Sequence, residues 1–393
     1  MKKSDWLYGT DRKDLVFVAK TFKGYEDLLS RELLDLGARE VNSLNRAVSF
    51  AGDQGFLYKA CLSLATALKI LMPIARFSAR TPEQLYAAAS RLPWHEVIGD
   101  GQSFAIQFTV HSEHFPHSQF AALKLKDALV DQMRKKTGKR PNVERFRPDI
   151  QIDLMISDTQ VHVSLDASGD PLFKRGYRKE TGKAPLNEVL AAGLIKRSGW
   201  NGKKDLLDPF CGSGTLLIEA CLQHMQIPPG IFRDGFGFQK WPDYNEELYT
   251  RIRNARLDQV RDPQVRFLGM DKDVHALRKM HKNLEQAELL DVIRMEQGDF
   301  FHSDPPAGSE GMLLANPPYG RKMPVDAGSF FSSIGDRLKK HYAGWNAWVL
   351  LPEEIGSIGL RPSKKFPVLN GDISCKWSGF ELFQGSKKQR YQG

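Results

Sequence analysis

The chain is 393 residues long, 41% hydrophobic and 26% charged; this supplies a sizeable core but exceeds one typical domain, so two or three are expected. Its net charge of +9 suits a polyanionic partner, although solubility alone also produces such an excess. Cys61, Cys211, Cys221 and Cys375 form no CxxC pair, which argues against a zinc ribbon or a disulfide framework and fits a reducing, cytoplasmic setting; no signal-peptide core opens the chain.

In chain order, residues 15–20 (LVFVAK) read as a strand. An amphipathic helix over 24–36 follows, with Leu28, Leu29, Leu33 and Leu34 on one face, and 47–50 read as a second strand. The apolar stretch 57–75 is broken by Lys59, Lys69 and Pro73, so it reads as a buried helix rather than a membrane span, which needs about 20 clean residues. Residues 104–110 alternate as a strand. Ser118 is placed to cap a helix carrying Ala121, Leu125, Ala128 and Leu129 inward. Residues 150–156 and 161–165 alternate on either side of Ser157-Asp158-Thr159, the period of a hairpin. His111, His114 and His117 in HSEHFPH offer no converging ligand face, so no metal is expected.

Between that helix and the hairpin lies MRKKTGKRPNVERFRP, in which seven basic residues surround Glu144 and Phe146. Such a run is either a solvated face or a phosphate-tracking surface. The candidates for RNA contact are Lys135, Lys136, Lys139, Arg140, Arg145 and Arg147. Lys174, Arg175 and Arg178, in a basic Gly-containing connection that also holds Lys179 and Lys183, extend the same expectation.

After about residue 185 short apolar strands alternate with helices: LLDPF, VRFLGMD, VIRMEQGD, GMLLAN and WNAWVLLP are the strands, and helices follow from Thr215 and through Ala276 and Leu284. Repeated βα units predict an α/β domain with a parallel doubly wound sheet, whose ligands bind beyond the carboxyl ends of the strands. Four strand ends carry the chemistry. DPFCGSGT lacks the Lys of a phosphate loop and the third Gly of a dinucleotide fingerprint, but Gly212 and Gly214 let the backbone pass close to a ligand. GMDKD places Asp271 where an acid binds two ribose hydroxyls; its long separation from the glycines fits an insertion, residues 227–244, that looks like a loop. QGDF offers Asp299 to an exocyclic amine and Phe300 to an adenine face. NPPY supplies Asn316, Pro317, Pro318 and Tyr319. Singly each has a bland alternative, a turn or a cap. Together they imply a nucleoside carrier without a phosphate tail, S-adenosylmethionine. Asn316 Oδ1 and the Pro317 carbonyl would accept from a base's exocyclic amine, the prolines would keep the backbone rigid, and the Tyr319 ring would stack on the base.

The set DPFCGSGT, MDKD, QGDF and NPPYG resembles the class I methyltransferases that modify exocyclic base nitrogens. RGYR and APLNEVLAAGLIKRSGW (184–200), with residues 115–134 and 140–154, make the chain similar to the bacterial 23S rRNA guanine-N2 methyltransferases that carry a THUMP domain. The resemblance implies a ferredoxin-like unit (1–54), a THUMP RNA-binding domain (55–166), a basic linker (167–185) and a Rossmann-like catalytic domain (186–393). It implies RNA as partner, 23S rRNA or a pre-ribosomal particle, and no membrane. It implies cofactor contacts at Pro185, Leu186, Asp208, Phe210, Gly212, Gly214, Thr215, Asp271, Asp299, Phe300 and Asn316. Lys272 stands where the family commonly has an apolar residue, so its stem would have to cover the adenine. Some members carry a second domain that makes 7-methylguanosine; this chain, ending at Gly393, is expected to lack that activity. The alternatives are an adenine-N6 methylase on DNA or RNA, since NPPY serves either amine, and an RNA-binding assembly factor with an idle cofactor site.

Overall fold

The computed structural model describes residues 15–178, 185–306, 310–319 and 327–383. The chain forms two compact units: residues up to Leu172 together with Asp234–Ala255, and Phe173–Arg233 together with the chain from Arg256 onward.

In the first unit, β1 (Leu15–Lys20) leads to α1 (Glu26–Leu36), which buries Leu28, Leu29 and Leu33 and stops where Gly37 turns left-handed at φ 96°. β2 (Arg39–Leu44) and β3 (Ala47–Gly52) follow, then α2 (Gln54–Ser63), capped by Asp53, whose carboxylate accepts from the Phe56 N–H at 2.7 Å. The stretch expected to be one buried helix divides here: after Ser63 the chain straightens into β4 (Lys69–Ser78). Pro73 has no N–H to give the ladder, and the pairing with the neighbouring strand shifts register between Pro73 and Ala75. Next come α3 (Pro82–Ala89), β5 (Ser103–His111), α4 (Ser118–Thr137), β6 (Asn142–Val143), β7 (Ile150–Ser157) and β8 (Gln160–Asp166). Ser118 is the first residue of α4 rather than its cap; His117 holds that position and makes no side-chain cap bond. The β7–β8 hairpin forms as its period predicts, with Asp158 at φ 53° in the turn. All eight strands join one sheet in the order β2-β3-β1-β4-β8-β7-β5-β6.

The segment expected to be a loop also belongs partly to this unit. Its Phe238 is fully buried and stacks on Tyr58 at 4.3 Å, while the Tyr58 hydroxyl accepts from the Asn245 N–H at 3.1 Å. Phe238 donates its own N–H to the Ala167 carbonyl at 3.1 Å, and a Cβ on Gly237 would stand 2.4 Å from the Asp166 carbonyl. α7 (Glu246–Leu257) carries the chain out.

The second unit alternates α5 (Glu188–Ser198), β9 (Asp205–Asp208), α6 (Thr215–Met225), β10 (Phe267–Asp271), α8 (Val274–Gln286), β11 (Ile293–Gln297), β12 (Gly311–Ala315), α9 (Ala327–His341) and β13 (Asn346–Pro352), and ends in the hairpin β14 (Lys364–Asn370) and β15 (Ile373–Glu381). The sheet order is β11-β10-β9-β12-β13-β15-β14, parallel through β13 and antiparallel in the final hairpin. Strand order reverses between β9 and β12, which is where such a sheet opens a ligand crevice.

Candidate active site at the carboxyl edge of the second sheet

Register brings the predicted strand ends to one edge. Leu207 pairs with Leu268 on one side and Leu313 on the other, so Asp208, Asp271 and Asn316 all emerge at the same rim; Asp271 in turn pairs with Gln297, two residues before Asp299.

The glycine turn after β9 is built by hydrogen bonds that fix its backbone. Asp271 Oδ2 accepts from the Gly212 N–H and its Oδ1 from the Asp273 N–H, each at 2.9 Å. Each carboxylate oxygen keeps a further lone pair for a diol. Gly212 sits at φ 54°, and a Cβ there would stand 4.0 Å from the Phe210 carbonyl oxygen. Conformation therefore favours glycine here, and the space before it is open. Gly214, at φ 85°, is demanded twice, because a Cβ would also reach 2.8 Å from Met280. Asn283, buried on α8, donates to the Ser213 carbonyl at 3.0 Å and so braces the turn; sequence reading missed it, since one asparagine on an apolar helix face carries no motif. Asp208 is 2% exposed and accepts from the Phe210 N–H at 3.1 Å. Burial, with the Asp271 charge adding to it, pushes its carboxyl up to about 8.

The approach segment is tied to this turn by arginines. Arg178 lies with Nε 2.7 Å from Glu188, and its Nη2 donates to the Leu186 carbonyl at 3.0 Å and to Thr215 Oγ1 at 2.9 Å. The Thr215 hydroxyl is thus already engaged inside the protein. Arg175 is 1% exposed and donates through Nε and Nη2 to Glu219, whose carboxylate also accepts from the Tyr177 hydroxyl at 3.0 Å. Two expected RNA contacts are corrected here: Arg175 and Arg178 face inward, because each is matched by a glutamate distant in sequence. Lys174 remains exposed. Pro185 is exposed and Leu186 buried; Ala184, Lys179 and Lys183 lie outside the described residues.

Phe300 also departs from expectation. It is 2% exposed, with its ring 5.2 Å from Phe210, 5.4 Å from Phe301 and 5.7 Å from Tyr342 in the core beneath the rim, so it covers no ligand face. Phe210 packs against the same core, half-buried. Asp299 is better placed: it holds the Phe301 N–H at 3.0 Å and stays partly exposed. Lys272 is exposed, its carbonyl accepting from Gln297.

At the end of β12, Asn316 Oδ1 is shielded from solvent and has no hydrogen-bond partner among the described residues. Such an amide oxygen costs stability unless a donor reaches it, so it marks a place built for one. Pro317 is buried and Pro318 partly so. The Tyr319 ring packs on the core, and its hydroxyl is held by Asn370 of β14 and by Cys375 of β15. Burial pushes the Tyr319 phenol well above its usual range and the Cys375 thiol up to about 11, so neither is a nucleophile at neutral pH.

In the first unit, Lys135, Lys136, Lys139, Arg140, Arg145 and Arg147 are all exposed. Lys139 is paired with Asp100 at 2.5 Å, which neutralises part of its charge.

Family models match along the chain. Residues 175–379 match the family described as RMKL-like, methyltransferase domain; residues 79–166 match the THUMP domain and 16–71 the RlmL ferredoxin-like domain. A Synechocystis protein named as an RNA methyltransferase is 36% identical over 372 residues, 93% of this chain and 97% of that one. The ribosomal RNA large subunit methyltransferase K/L of Syntrophotalea carbinolica is 39% identical across 96% of this chain, which spans 54% of that longer protein. The crystal structure of SMU.472, a methyltransferase complexed with S-adenosylhomocysteine, superposes with a TM-score of 0.85 at 29% identity, covering 95% of this chain and 100% of that one. The α/β architecture of ferredoxin-like, THUMP and methyltransferase domains expected from the sequence is the one present.

Proposed function

The chain belongs to the RMKL-like methyltransferase family, and from that premise we propose that it transfers a methyl group from S-adenosylmethionine to the N2 amine of a guanosine in large-subunit ribosomal RNA. The observation that carries the reading is the buried Oδ1 of Asn316, without a hydrogen-bond partner among the described residues, at the rim shared with Asp208 and Asp271. The rim fits the donor: Gly212 leaves open space without a side chain, and Asp271 holds lone pairs toward a diol. The buried Asp208 carboxyl gains most from a cationic neighbour. Asp299 stands at the adjacent strand end for an adenine amine. When bound, S-adenosylmethionine supplies a methyl group activated by a sulfonium.

The chain's own residues do the rest. The lone pair of a base's exocyclic amine is delocalised into its ring, so the nitrogen is a poor nucleophile. Asn316 Oδ1 and the Pro317 carbonyl accept its two N–H groups, which raises electron density on the nitrogen and fixes its direction of attack. Proline at 317 and 318 keeps this holder rigid. Tyr319 stacks on the base; that contact, about 1–3 kcal/mol, offsets part of the few kcal/mol needed to draw the base from its helix. The proton leaves to water after the N–C bond forms. The THUMP domain holds the RNA through the exposed basic run.

Incubation with protein-free 23S rRNA followed by nucleoside analysis tests this. N2-methylguanosine is expected; N6-methyladenosine would reassign the acceptor, and no product with salt-sensitive RNA binding retained would leave a binding factor. Asn316→Ala is expected to lower turnover at least ~10²-fold while calorimetry shows S-adenosylhomocysteine affinity nearly unchanged. Loss of that affinity alone would remove Asn316 from the amine.

A further inference from the structure

Phe146 is 92% exposed, whereas the other exposed large apolar residues among those described lie between 37% and 58%. Burying a phenylalanine is worth about 1.5–3 kcal/mol, and this ring contributes almost none of that to the core. The fold gives no reason for an aromatic here. The neighbourhood does. Phe146 lies on the connection from β6 to β7, between the exposed Arg145 and Arg147. Neither arginine, nor Arg140, is ion-paired among the described residues. The one acid of the run, Glu144, accepts the Phe146 N–H through Oε1 at 2.9 Å. Its charge is thereby turned onto the backbone of the turn that presents the ring.

A surface meant only for phosphates has no use for an exposed ring. An exposed ring flanked in sequence by two exposed arginines matches a strand whose bases are unpaired: the face stacks while the flanking phosphates pair with arginine. A base inside a duplex has both faces covered and cannot use it. We infer that Phe146 is a stacking platform for an unpaired nucleobase, with Arg145 and Arg147 engaging the adjoining phosphates. This rests on the RNA reading above and adds to it the form of RNA that the first unit selects.

The test uses the full chain with a short single-stranded RNA and a blunt RNA duplex of equal length, each titrated at several salt concentrations. Phe146→Ala is expected to weaken single-strand binding about tenfold, with the salt slope unchanged and duplex binding unaffected. Phe146→Trp should restore affinity and Phe146→Leu should not, which separates stacking from general apolar contact. Neutralising Arg145 and Arg147 together to Gln should instead flatten the salt slope by about one to two units. Wild-type affinity retained in Phe146→Ala, or an equal loss on the duplex, would overturn the platform while leaving RNA binding intact. Failure of the unmodified protein to bind either RNA would bring down the RNA reading and the platform together.

Discussion

Asp208 has a carboxyl whose hydrogen-bond donor among the described residues is a single backbone N–H, at a place where burial and a neighbouring acid both oppose ionisation. Its carboxyl is pushed up to about 8 from an ordinary 3.8, so the folded chain holds this proton more tightly than the unfolded chain does. The sign follows: stability falls as pH rises from the unfolded value towards 8, because the folded state is the better proton binder across that window. Asp208→Asn, which cannot ionise, is expected to remove this part of the decline, read as a smaller drop in Tm between mildly acidic and mildly alkaline buffers. A cationic donor works in the opposite direction and should expel the proton on binding at neutral pH. Calorimetry in buffers of different ionisation enthalpy should then register up to about one proton released by the wild type and none by Asp208→Asn. This residue was legible in the sequence because it ends a strand just before two glycines. Phe300 was not, although it also ends a strand unit: nothing local says whether a ring beside an acid turns out to the ligand or inward to Phe210 and Tyr342.

At the scale of elements, period and punctuation revealed the second sheet well. All five parallel strands and the helices after Asp208 and Asp271 stand where apolar runs and strand-end acids put them. The stretch 57–75 was misread because leucine and alanine serve both helix and strand; α2 ends at Ser63 and β4 begins at Lys69, with Pro73 inside that strand. Charge misled in the segment 174–178. A basic cluster beside glycine resembles solvent-facing linker, and its partners Glu188 and Glu219 sit on α5 and α6, out of reach of any local pattern. The segment instead fastens to α6, the helix that opens from the glycine turn. Arg175→Met leaves Glu219 buried without its cation, an expected cost of about 3–5 kcal/mol in denaturant unfolding. Adding Glu219→Leu should recover most of that loss. Single-strand RNA affinity should stay unchanged in the double variant, which is not the behaviour of a phosphate-binding arginine.

For the whole molecule, the route of the chain matters more than its length. The chain leaves the second unit after Arg233, completes the core of the first, and returns at Arg256. The returning segment brings Phe236 and Phe238, stacked at 5.3 Å, against Tyr58, with Tyr249 closing on Phe238 at 5.6 Å. It is anchored at its ends of contact as well: Lys240 pairs with Asp149 at 2.8 Å, and Gln54 donates to the Asp243 carbonyl at 2.6 Å. Aromatic residues without helix or strand period read as loop, which is why sequence gave this segment no role. Its burial makes the first unit thermodynamically dependent on residues encoded between two strands of the other. Phe238→Ala should therefore cost about 3–5 kcal/mol, the usual loss for a large aromatic in a packed core. The loss should fall on the first unit. Hydrogen exchange is expected to quicken in β4, β7 and β8 while β9, β10 and β12 keep their protection. Faster exchange confined to the strands around Asp208 would show that residues 234–255 support the catalytic unit instead.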